Sequence, residues 1–262
     1  MSNPTSEANI ENNESLVARL EVNRKFAQSD FHSWVYERLA FQPGMDVLDV
    51  GCGNGAQALE ALRMVGPAGS VSAVDISEKS VQQLRDGAGQ AQNLVAVVGD
   101  MRNIEDDIRN RFRVKQYDLA YSVYSLWYGG DHIKILDVMR GALRPGGRLV
   151  VCVPNHPNGL RELVKRLGRP TPYWDQSTHF GTNVLEPYFR AYFYQVTIHL
   201  QKNVVRIPSV EEVLRFFRAT GYYSPEVEPQ LSRYVASEIE ASGAFSFEKN
   251  NYLIEGRNAI AY

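Results

Sequence analysis

Residues 46–55 read DVLDVGCGNG, a short apolar run that leads directly into three closely spaced glycines. The apolar part predicts a buried β-strand, and the stretch from Ala56 to Val65 predicts a helix after the turn. Glycine lets the backbone bend sharply and approach a ligand without an intervening Cβ. Ligands of open α/β sheets bind beyond the carboxyl ends of the strands, so this turn is a candidate binding site.

The alternation of strand and helix continues through the next hundred residues. Alternating elements imply parallel pairing with right-handed crossovers, and apolar strands such as LVAVV fit a sheet covered on both faces. A helix is predicted from Gly159, a sixth strand from Tyr194 to Leu200, and helices between Ser209 and Ala241. The further strands of the first half are predicted at Val71–Val74, Leu94–Val98, Asp118–Val123 and Arg148–Val153, the last after a turn at 144–147.

Composition restricts the class of protein. The 262 residues carry a formal net charge of -2, with 44% hydrophobic and 22% charged residues, which is ordinary for a globular protein. No strong basic field is present to recruit nucleic acid or an anionic membrane, and no apolar run is long enough to span a bilayer. We therefore expect neither partner, and a cytoplasmic location by default. Cys52 and Cys152 stand outside any C-x-x-C pair, so we expect buried free thiols and no metal.

The spacing of Gly51, Gly53 and Gly55 discriminates between nucleotide ligands. A dinucleotide fold has G-x-G-x-x-G, whereas this chain has G-x-G-x-G with Asp49 two residues before it. A phosphate-binding loop of the Walker type ends in Gly-Lys-Ser/Thr, which is not found here. The spacing therefore disfavours NAD and ATP.

Acidic residues end the first three predicted strands. Asp75 follows the second strand, where a carboxylate can accept hydrogen bonds from both hydroxyls of a ribose. Asp100 ends the third strand, where its side chain or its neighbours can accept a hydrogen bond from an adenine amino group. Each acid alone could simply cap a turn or a helix. Together with Asp49 they converge on one rim of the sheet, which is a more specific signal than the glycines alone.

At these residues the chain resembles a known family. VLDVGCGNG, VSAVDIS, VVGDM and LRPGGRLVV are similar to the successive motifs of class I S-adenosylmethionine-dependent methyltransferases, over roughly Asp46 to Val153. The resemblance implies an α/β, Rossmann-like sheet of seven mostly parallel strands in the order 3-2-1-4-5-7-6. The last strand would be antiparallel, helices would cover both faces, and a helical insertion would cap the site.

The resemblance also implies S-adenosylmethionine as the cofactor and a role for each motif residue. Asp49, Gly51, Cys52, Gly53 and Gly55 would lie along its methionine portion. Its remaining contacts would be Asp75 on the ribose, Ile76 on the adenine face, Asp100 and Met101 beside the adenine, and Ser122 near the sulfonium.

These expectations divide the chain into six segments. They are a disordered tail (1–15), N-terminal helices (16–42), the S-adenosylmethionine-binding core (43–154), a helix with an aromatic-rich segment and the sixth strand (155–208), a helical insertion (209–242) and the final strand (243–262).

The acceptor side is less clearly marked. Many similar enzymes carry a histidine after strand four, but here the nearest is His132. Tyr124, Trp127 and Tyr128 follow this strand and either line an apolar acceptor pocket or pack against the next helix. We select His156 and His179 as catalytic candidates, together with Tyr124. His32 and His199 are weaker candidates.

Two further stretches have open interpretations. Residues 173–194 are dense in aromatics and either form a lid over a ring-bearing substrate or dock a helix on the sheet. Arg161, Lys165 and Arg169 share i, i+4 spacing, which predicts a solvated helix face or, second, an anion-binding face.

These observations favour one function over several others. The favoured hypothesis is transfer of a methyl group from S-adenosylmethionine to an O, N or C atom of a small molecule, by in-line displacement at close range. The alternatives are an S-adenosylmethionine-binding protein with other chemistry and, less favoured, an NAD-linked oxidoreductase. A nucleic-acid methyltransferase is disfavoured. For methylation of base amino groups we would expect a loop of the type Asn/Asp-Pro-Pro-aromatic after strand four, whereas this chain reads SVYS there. Pairing of two copies as a homodimer is a further expectation.

Overall fold

The computed structural model describes residues 21–168, 177–220 and 223–259, without the side chains of Leu160 and Val164. The predicted tail (1–15) and the predictions for Arg169, Tyr173 and Trp174 lie outside the described residues. The chain divides into two compact units. The core unit comprises Phe31–Val153, Phe180–His199 and Tyr252–Tyr262, and the accessory unit comprises Met1–Asp30, Pro154–His179 and Leu200–Asn251.

The regular elements alternate along the chain as the sequence predicts. The strands are β1 (Asp46–Val50), β2 (Ser70–Asp75), β3 (Leu94–Val98), β4 (Tyr117–Val123), β5 (Leu143–Asn158), β6 (Gln195–Gln201), β7 (Val204–Ile207) and β8 (Phe245–Arg257). The α-helices are α1 (Phe31–Leu39), α2 (Ala56–Val65), α3 (Glu78–Ala88), α4 (Ile104–Asn110), α5 (His132–Gly141), α6 (Gly159–Arg166), α7 (Glu186–Tyr192), α8 (Val210–Arg218) and α9 (Glu228–Ser242). Short 3-10 helices cover Met101–Asn103 and Leu126–Tyr128, and a π-helix covers Gly181–Leu185.

The strands form one mixed sheet in the order β3-β2-β1-β4-β5-β8-β6, with β7 paired to β8. The strands from β3 to β5 pair in parallel, whereas β7 and β8 pair antiparallel. The predicted Rossmann-like order is therefore confirmed, with β8 in the place of the predicted seventh strand. The short strand β7 is an addition that the sequence analysis did not identify.

The start of β5 differs from the prediction. The sequence indicated a turn at 144–147 and a strand from Arg148, whereas β5 already begins at Leu143. Leu143 pairs with Tyr117 and Arg148 with Leu119, so the register shifts between the two pairs. Residues 144–147 form an irregularity inside the strand, and Gly146 adopts a left-handed φ of 76° there.

The core unit buries most residues of its central strands, which explains their apolar sequences. Val47, Leu48 and Val50 of β1 are fully buried, and both cysteines are buried free thiols as expected. The helix α3 approaches the start of α2 closely at Gly55. A Cβ at this glycine would lie 2.5 Å from Cδ1 of Leu84, and its φ of 89° also favours glycine.

The accessory unit has its own apolar core. Its helix α8 begins after Ser209, whose hydroxyl accepts a bond from the Glu212 amide and so caps the helix. Phe216 and Phe247 stack with ring centroids 5.5 Å apart, and Phe217 is buried beside them. Over the described parts of both units, no helix has the length and apolarity needed to cross a membrane.

Candidate functional site

The loop of Gly51–Gly55, called the glycine loop below, lies where β1, β2 and β4 end. The amides of Gly51 and Cys52 donate bonds of 2.8 and 3.0 Å to the Val74 carbonyl. The Gly53 amide donates a bond of 2.8 Å to Oδ2 of Asp75. These hydrogen bonds connect the glycine loop to the end of β2, so the predicted cofactor residues of the two strands lie together.

Asp75 is a carboxylate held by two backbone amides. Its Oδ1 accepts a bond of 2.9 Å from the Ser77 amide, and its Oδ2 accepts the bond from Gly53. Burial raises the pKa of Asp75, while the bonds from Ser77 and Gly53 oppose this shift. Each carboxylate oxygen can accept two bonds, so both retain capacity for ligand hydroxyls.

Asp49 is more deeply enclosed. It is 2% exposed, and its Oδ2 has no hydrogen-bond partner among the described residues. Burial raises its pKa to about 8, against the influence of the nearby Tyr121 hydroxyl and with a smaller contribution from the charge of Asp75. A buried carboxyl oxygen without a partner is costly, unless a cationic or donor group of a ligand reaches it.

The glycines of the loop have different surroundings. Gly51 has a φ of 79°, and a Cβ there would lie 2.2 Å from Oγ of Ser125. Gly53 has a φ of 52°, and a Cβ there would meet no atom within 4 Å. Gly51 is therefore required by close packing, whereas Gly53 leaves an open face toward which a ligand can approach the backbone.

The residues predicted to surround the adenine differ in availability. Ile76 is 48% exposed, so its side chain is accessible to a ligand ring. Asp100 instead has both oxygens bound by the Arg102 side chain, whose charge and hydrogen bonds lower the pKa of Asp100. Met101 lies between the glycine loop and Gly129, because Cβ atoms added at Gly51 and Gly129 would meet its Cε and Sδ at 3.5 and 2.9 Å.

The segment Tyr124–Tyr128, called the aromatic loop below, follows β4. Its rings form a continuous series with Phe31 of α1. Phe31 and Tyr124 meet edge to face at 5.3 Å, as do Tyr124 and Trp127 at 5.6 Å. Trp127 and Tyr128 are tilted by 37° with ring centroids 5.1 Å apart. Nε1 of Trp127 is buried and has no hydrogen-bond partner in the described parts of the chain. The aromatics after strand four thus pack on each other and on α1, with one unsatisfied donor among them.

The predicted catalytic residues fall into two groups. His156 and His179 stack in the accessory unit, with ring centroids 5.5 Å apart and planes 22° from parallel. Tyr124 belongs to the core unit, where burial holds the pKa of its hydroxyl well above its usual range. His132, the histidine nearest to strand four, has packing contacts: its ring meets Phe180 at 4.6 Å, and its Nε2 lies 3.2 Å from the Trp127 carbonyl.

The predicted solvated face of α6 is wrong at Arg161. This residue is 5% exposed, and its guanidinium donates a bond of 2.8 Å to Oγ1 of Thr178. Lys165 is exposed, as expected for that face. The i, i+4 spacing identified a shared helix face, but it contained no information on Thr178, which comes from a distant segment.

Two residues at the site were missed in the sequence. Phe31 belongs to the run FHSWVYE in α1, which was assigned only to the N-terminal helices although its aromatic content was a signal. Ser125 contacts Gly51 and donates a 2.9 Å bond to the Val50 carbonyl. Its three-residue spacing from Ser122 was visible, but only the structure places both beside the glycine loop.

Comparisons with known proteins agree with this geometry. Residues 41–191, more than half of the chain, match the family model described as a methyltransferase domain. The chain belongs to this family. A demethylmenaquinone methyltransferase of Listeria welshimeri is 24% identical over 216 residues, covering 79% of this chain and 80% of the relative. One of Staphylococcus aureus is 25% identical over 197 residues, covering 74% of each.

Solved structures support the fold. The YcgJ protein of a Bacillus species matches with a TM-score of 0.55 and 17% identity, covering 88% of this chain and 98% of that chain. The cyclase SpnF matches with a TM-score of 0.55 and 17% identity, covering 90% and 87%. At 17% sequence identity these structures support a shared fold and not a shared activity or substrate.

The family and the site together define the activity. The protein is an S-adenosylmethionine-dependent methyltransferase that acts on small molecules. Three features fit the cofactor: the unsatisfied Asp49 oxygen, the open face at Gly53 and the exposed Ile76. The NAD-linked alternative is therefore set aside. Within the described residues, no three His, Cys, Asp or Glu side chains cluster as metal ligands.

Proposed function

We propose that this methyltransferase transfers the methyl group to an O, N or C atom of a small, apolar, ring-bearing acceptor that carries an oxygen. The observation that supports this most directly is the aromatic loop, where the half-buried Tyr124 and Tyr128 rings flank the buried Trp127 in one apolar ring cluster. The unsatisfied Trp127 Nε1 supports an oxygen on that molecule, because a ring oxygen substituent would accept its hydrogen bond.

The named relatives favour the same class of acceptor. Both curated relatives are called demethylmenaquinone methyltransferases, and we carry over from that name only an apolar ring system with oxygen substituents. Their identities of 24 and 25% are too low to transfer the individual substrate.

We assign the cofactor contacts to the residues that the motifs indicate. Asp49 would face the methionine ammonium, the glycine loop the methionine backbone, and Asp75 the ribose hydroxyls. Ile76 would pack on the adenine, and Asp100 and Met101 would lie beside its edge. Ser122 would lie near the sulfonium. The bound cofactor supplies an electrophilic methyl group on a sulfonium, and the contribution of the chain is to hold acceptor and methyl group close and aligned.

The protonation states limit what each catalytic candidate can do. A raised pKa keeps the Tyr124 hydroxyl protonated at neutral pH, so we assign it a positioning and donor role and not that of a base. For an acceptor with an O–H or N–H group, we propose that His156 or His179 accepts the proton. A pre-ionised acceptor would not need this step.

The proposal is tested by transfer of labelled methyl groups from S-adenosylmethionine to a panel of hydroxynaphthoquinones, phenols, aliphatic amines and thiols. We expect turnover with the oxygen-bearing rings. For the best acceptor, Trp127→Phe, which keeps a ring but removes the donor, should lower kcat/KM about tenfold through the lost hydrogen bond. Turnover confined to aliphatic amines or thiols would refute the acceptor class, and cofactor binding without any transfer would favour other chemistry.

A further inference from the structure

A directed pair of hydrogen bonds connects the end of β4 with the end of β1. Oγ of Ser125 lies 2.9 Å from the Val50 carbonyl oxygen, which can only accept, so Ser125 donates this bond. The same Oγ lies 2.7 Å from Oγ of Ser122. Because the Ser125 proton is already directed to Val50, Ser122 must donate to Ser125. The direction of the pair is therefore fixed as Ser122 to Ser125 to Val50.

Ser125 also contacts the glycine loop directly. A Cβ on Gly51 would lie 2.2 Å from Oγ and 2.3 Å from Cβ of Ser125, so the two residues leave no space between them. A displacement of Gly51 toward Ser125 must therefore be accompanied by a displacement of Ser125. Gly51 of the glycine loop and Ser125 of the aromatic loop are therefore packed directly against each other.

The residue before Ser125 has an unusual backbone conformation. Tyr124 has a φ of 59°, a left-handed value that is uncommon for a bulky side chain. Its amide donates a bond of 2.9 Å to the Cys152 carbonyl. This conformation turns the chain so that the Ser125 hydroxyl reaches Val50 while the Tyr124 ring meets Phe31 and Trp127. Strained residues of this kind persist where surrounding contacts hold them.

We propose that Ser125 is a positioning residue that couples the glycine loop to the aromatic loop. A cofactor bound on Gly51–Gly55 restricts Gly51, Gly51 restricts Ser125 through direct contact, and Ser125 fixes the turn at Tyr124. The aromatic surface is then ordered by the cofactor before the acceptor arrives. This ordering of the aromatic surface rests on the proposed function, whereas the coupling itself can be measured without an acceptor.

The test is hydrogen–deuterium exchange of the whole protein with and without saturating S-adenosylhomocysteine, with saturation established by calorimetry for each variant. In the wild type we expect the ligand to slow amide exchange both in the glycine loop and in residues 124–130, by about threefold or more in the latter. In Ser125→Ala the slowing should persist in the glycine loop and disappear in residues 124–130. Ser125→Cys, which restores a weak donor of similar shape, should recover part of it.

Matched variants separate coupling from a general loss of stability. Ser70→Ala removes a 2.6 Å hydrogen bond to Asp46 at the other end of β2 and should leave ligand-induced slowing intact in both loops. Ser122→Ala retains the bond from Ser125 to Val50 and should reduce the slowing in residues 124–130 only partly. This variant replaces Ser125→Ala in the test if Ser125→Ala does not fold. Equal slowing in wild type and Ser125→Ala, or no slowing of residues 124–130 in the wild type, would overturn the coupling. Neither result depends on the identity of the acceptor.

Discussion

The backbone amide of Gly53 donates a 2.8 Å hydrogen bond to Oδ2 of Asp75, so the glycine loop itself holds the carboxylate that the motif assigns to the ribose. The Ser77 amide holds the other oxygen, and the carboxylate is therefore oriented before any ligand binds. A group that is already oriented loses less conformational freedom when it binds a ligand, which favours affinity.

Replacing this carboxylate should weaken cofactor binding. Asp75→Asn keeps the size of the side chain but loses the charge-assisted bonds, which contribute about 1.5–3 kcal/mol. We expect the Kd for S-adenosylhomocysteine, measured by calorimetry, to rise about tenfold to a hundredfold. Asp106→Asn, on an exposed position of α4, is the matched control and should not change the Kd. An unchanged Kd in Asp75→Asn would contradict the ribose role.

Asp49 should make the stability of the protein depend on pH in the direction opposite to that of an ordinary paired carboxylate. Its pKa is raised from an ordinary value near 3.8 to about 8 in the folded state. Between these values the folded state holds a proton that the unfolded state has released, so the free energy of unfolding falls as pH rises from about 4 to about 8. The slope from one such group is at most about 1.4 kcal/mol per pH unit.

Asp49→Asn should remove that slope, because an amide has no proton to lose in this range. Urea unfolding at pH 5.5, 6.5 and 7.5 should show the free-energy difference between variant and wild type shifting steadily in favour of the variant as pH rises. Asp86→Asn, an exposed carboxyl on α3, should run parallel to the wild type. If the free energy of unfolding of Asp49→Asn also changed with pH in parallel with the wild type, the pKa of Asp49 would not be raised.

The two loop glycines should respond differently to the same substitution. Gly51→Ala combines a left-handed φ with a direct overlap with Ser125, so it should destabilise the fold by about 2–5 kcal/mol. Gly53→Ala meets no atom and should cost only the backbone strain of about 1–2 kcal/mol, while its Cβ blocks the face on which the cofactor would lie. Gly66→Ala, with a φ of 63° and open space but outside the site, is the control for strain alone.

Thermal unfolding and calorimetry together check this contrast. Gly53→Ala and Gly66→Ala should have similar Tm values, but only Gly53→Ala should lose affinity for S-adenosylhomocysteine. If Gly66→Ala lost the same affinity, the effect would come from general strain and not from contact with the cofactor.

The sequence was sufficient for the fold and for placing the predicted cofactor residues of β1 and β2 at one edge of the sheet, because both depend on local patterns. The spacing around Gly51 and the acids at the ends of β1 to β3 lie within single strand–helix units, whose order along the chain sets the sheet topology. Contacts between distant segments were not predictable in the same way. Arg161 was expected in solvent and is buried against Thr178, and Ser125 was not identified although it contacts Gly51. The periodicity of the helix around Arg161 contains no information about Thr178, and the loop around Ser125 contains none about Gly51.

The stacked histidines should matter only for acceptors that must lose a proton. If His156 or His179 removes a proton from an acceptor O–H or N–H group, changing that residue to Asn should lower kcat by about a hundredfold or more, with the cofactor Kd unchanged. With a phenol of low pKa, assayed at a pH where it is already ionised, the same variant should regain most of its activity, since no proton remains to be removed. His199→Asn is the control, because burial and the charge of Arg38 lower the pKa of His199 and make it a weaker base. An equal loss of activity with the ionised and the un-ionised acceptor would assign the two histidines to packing and not to proton transfer.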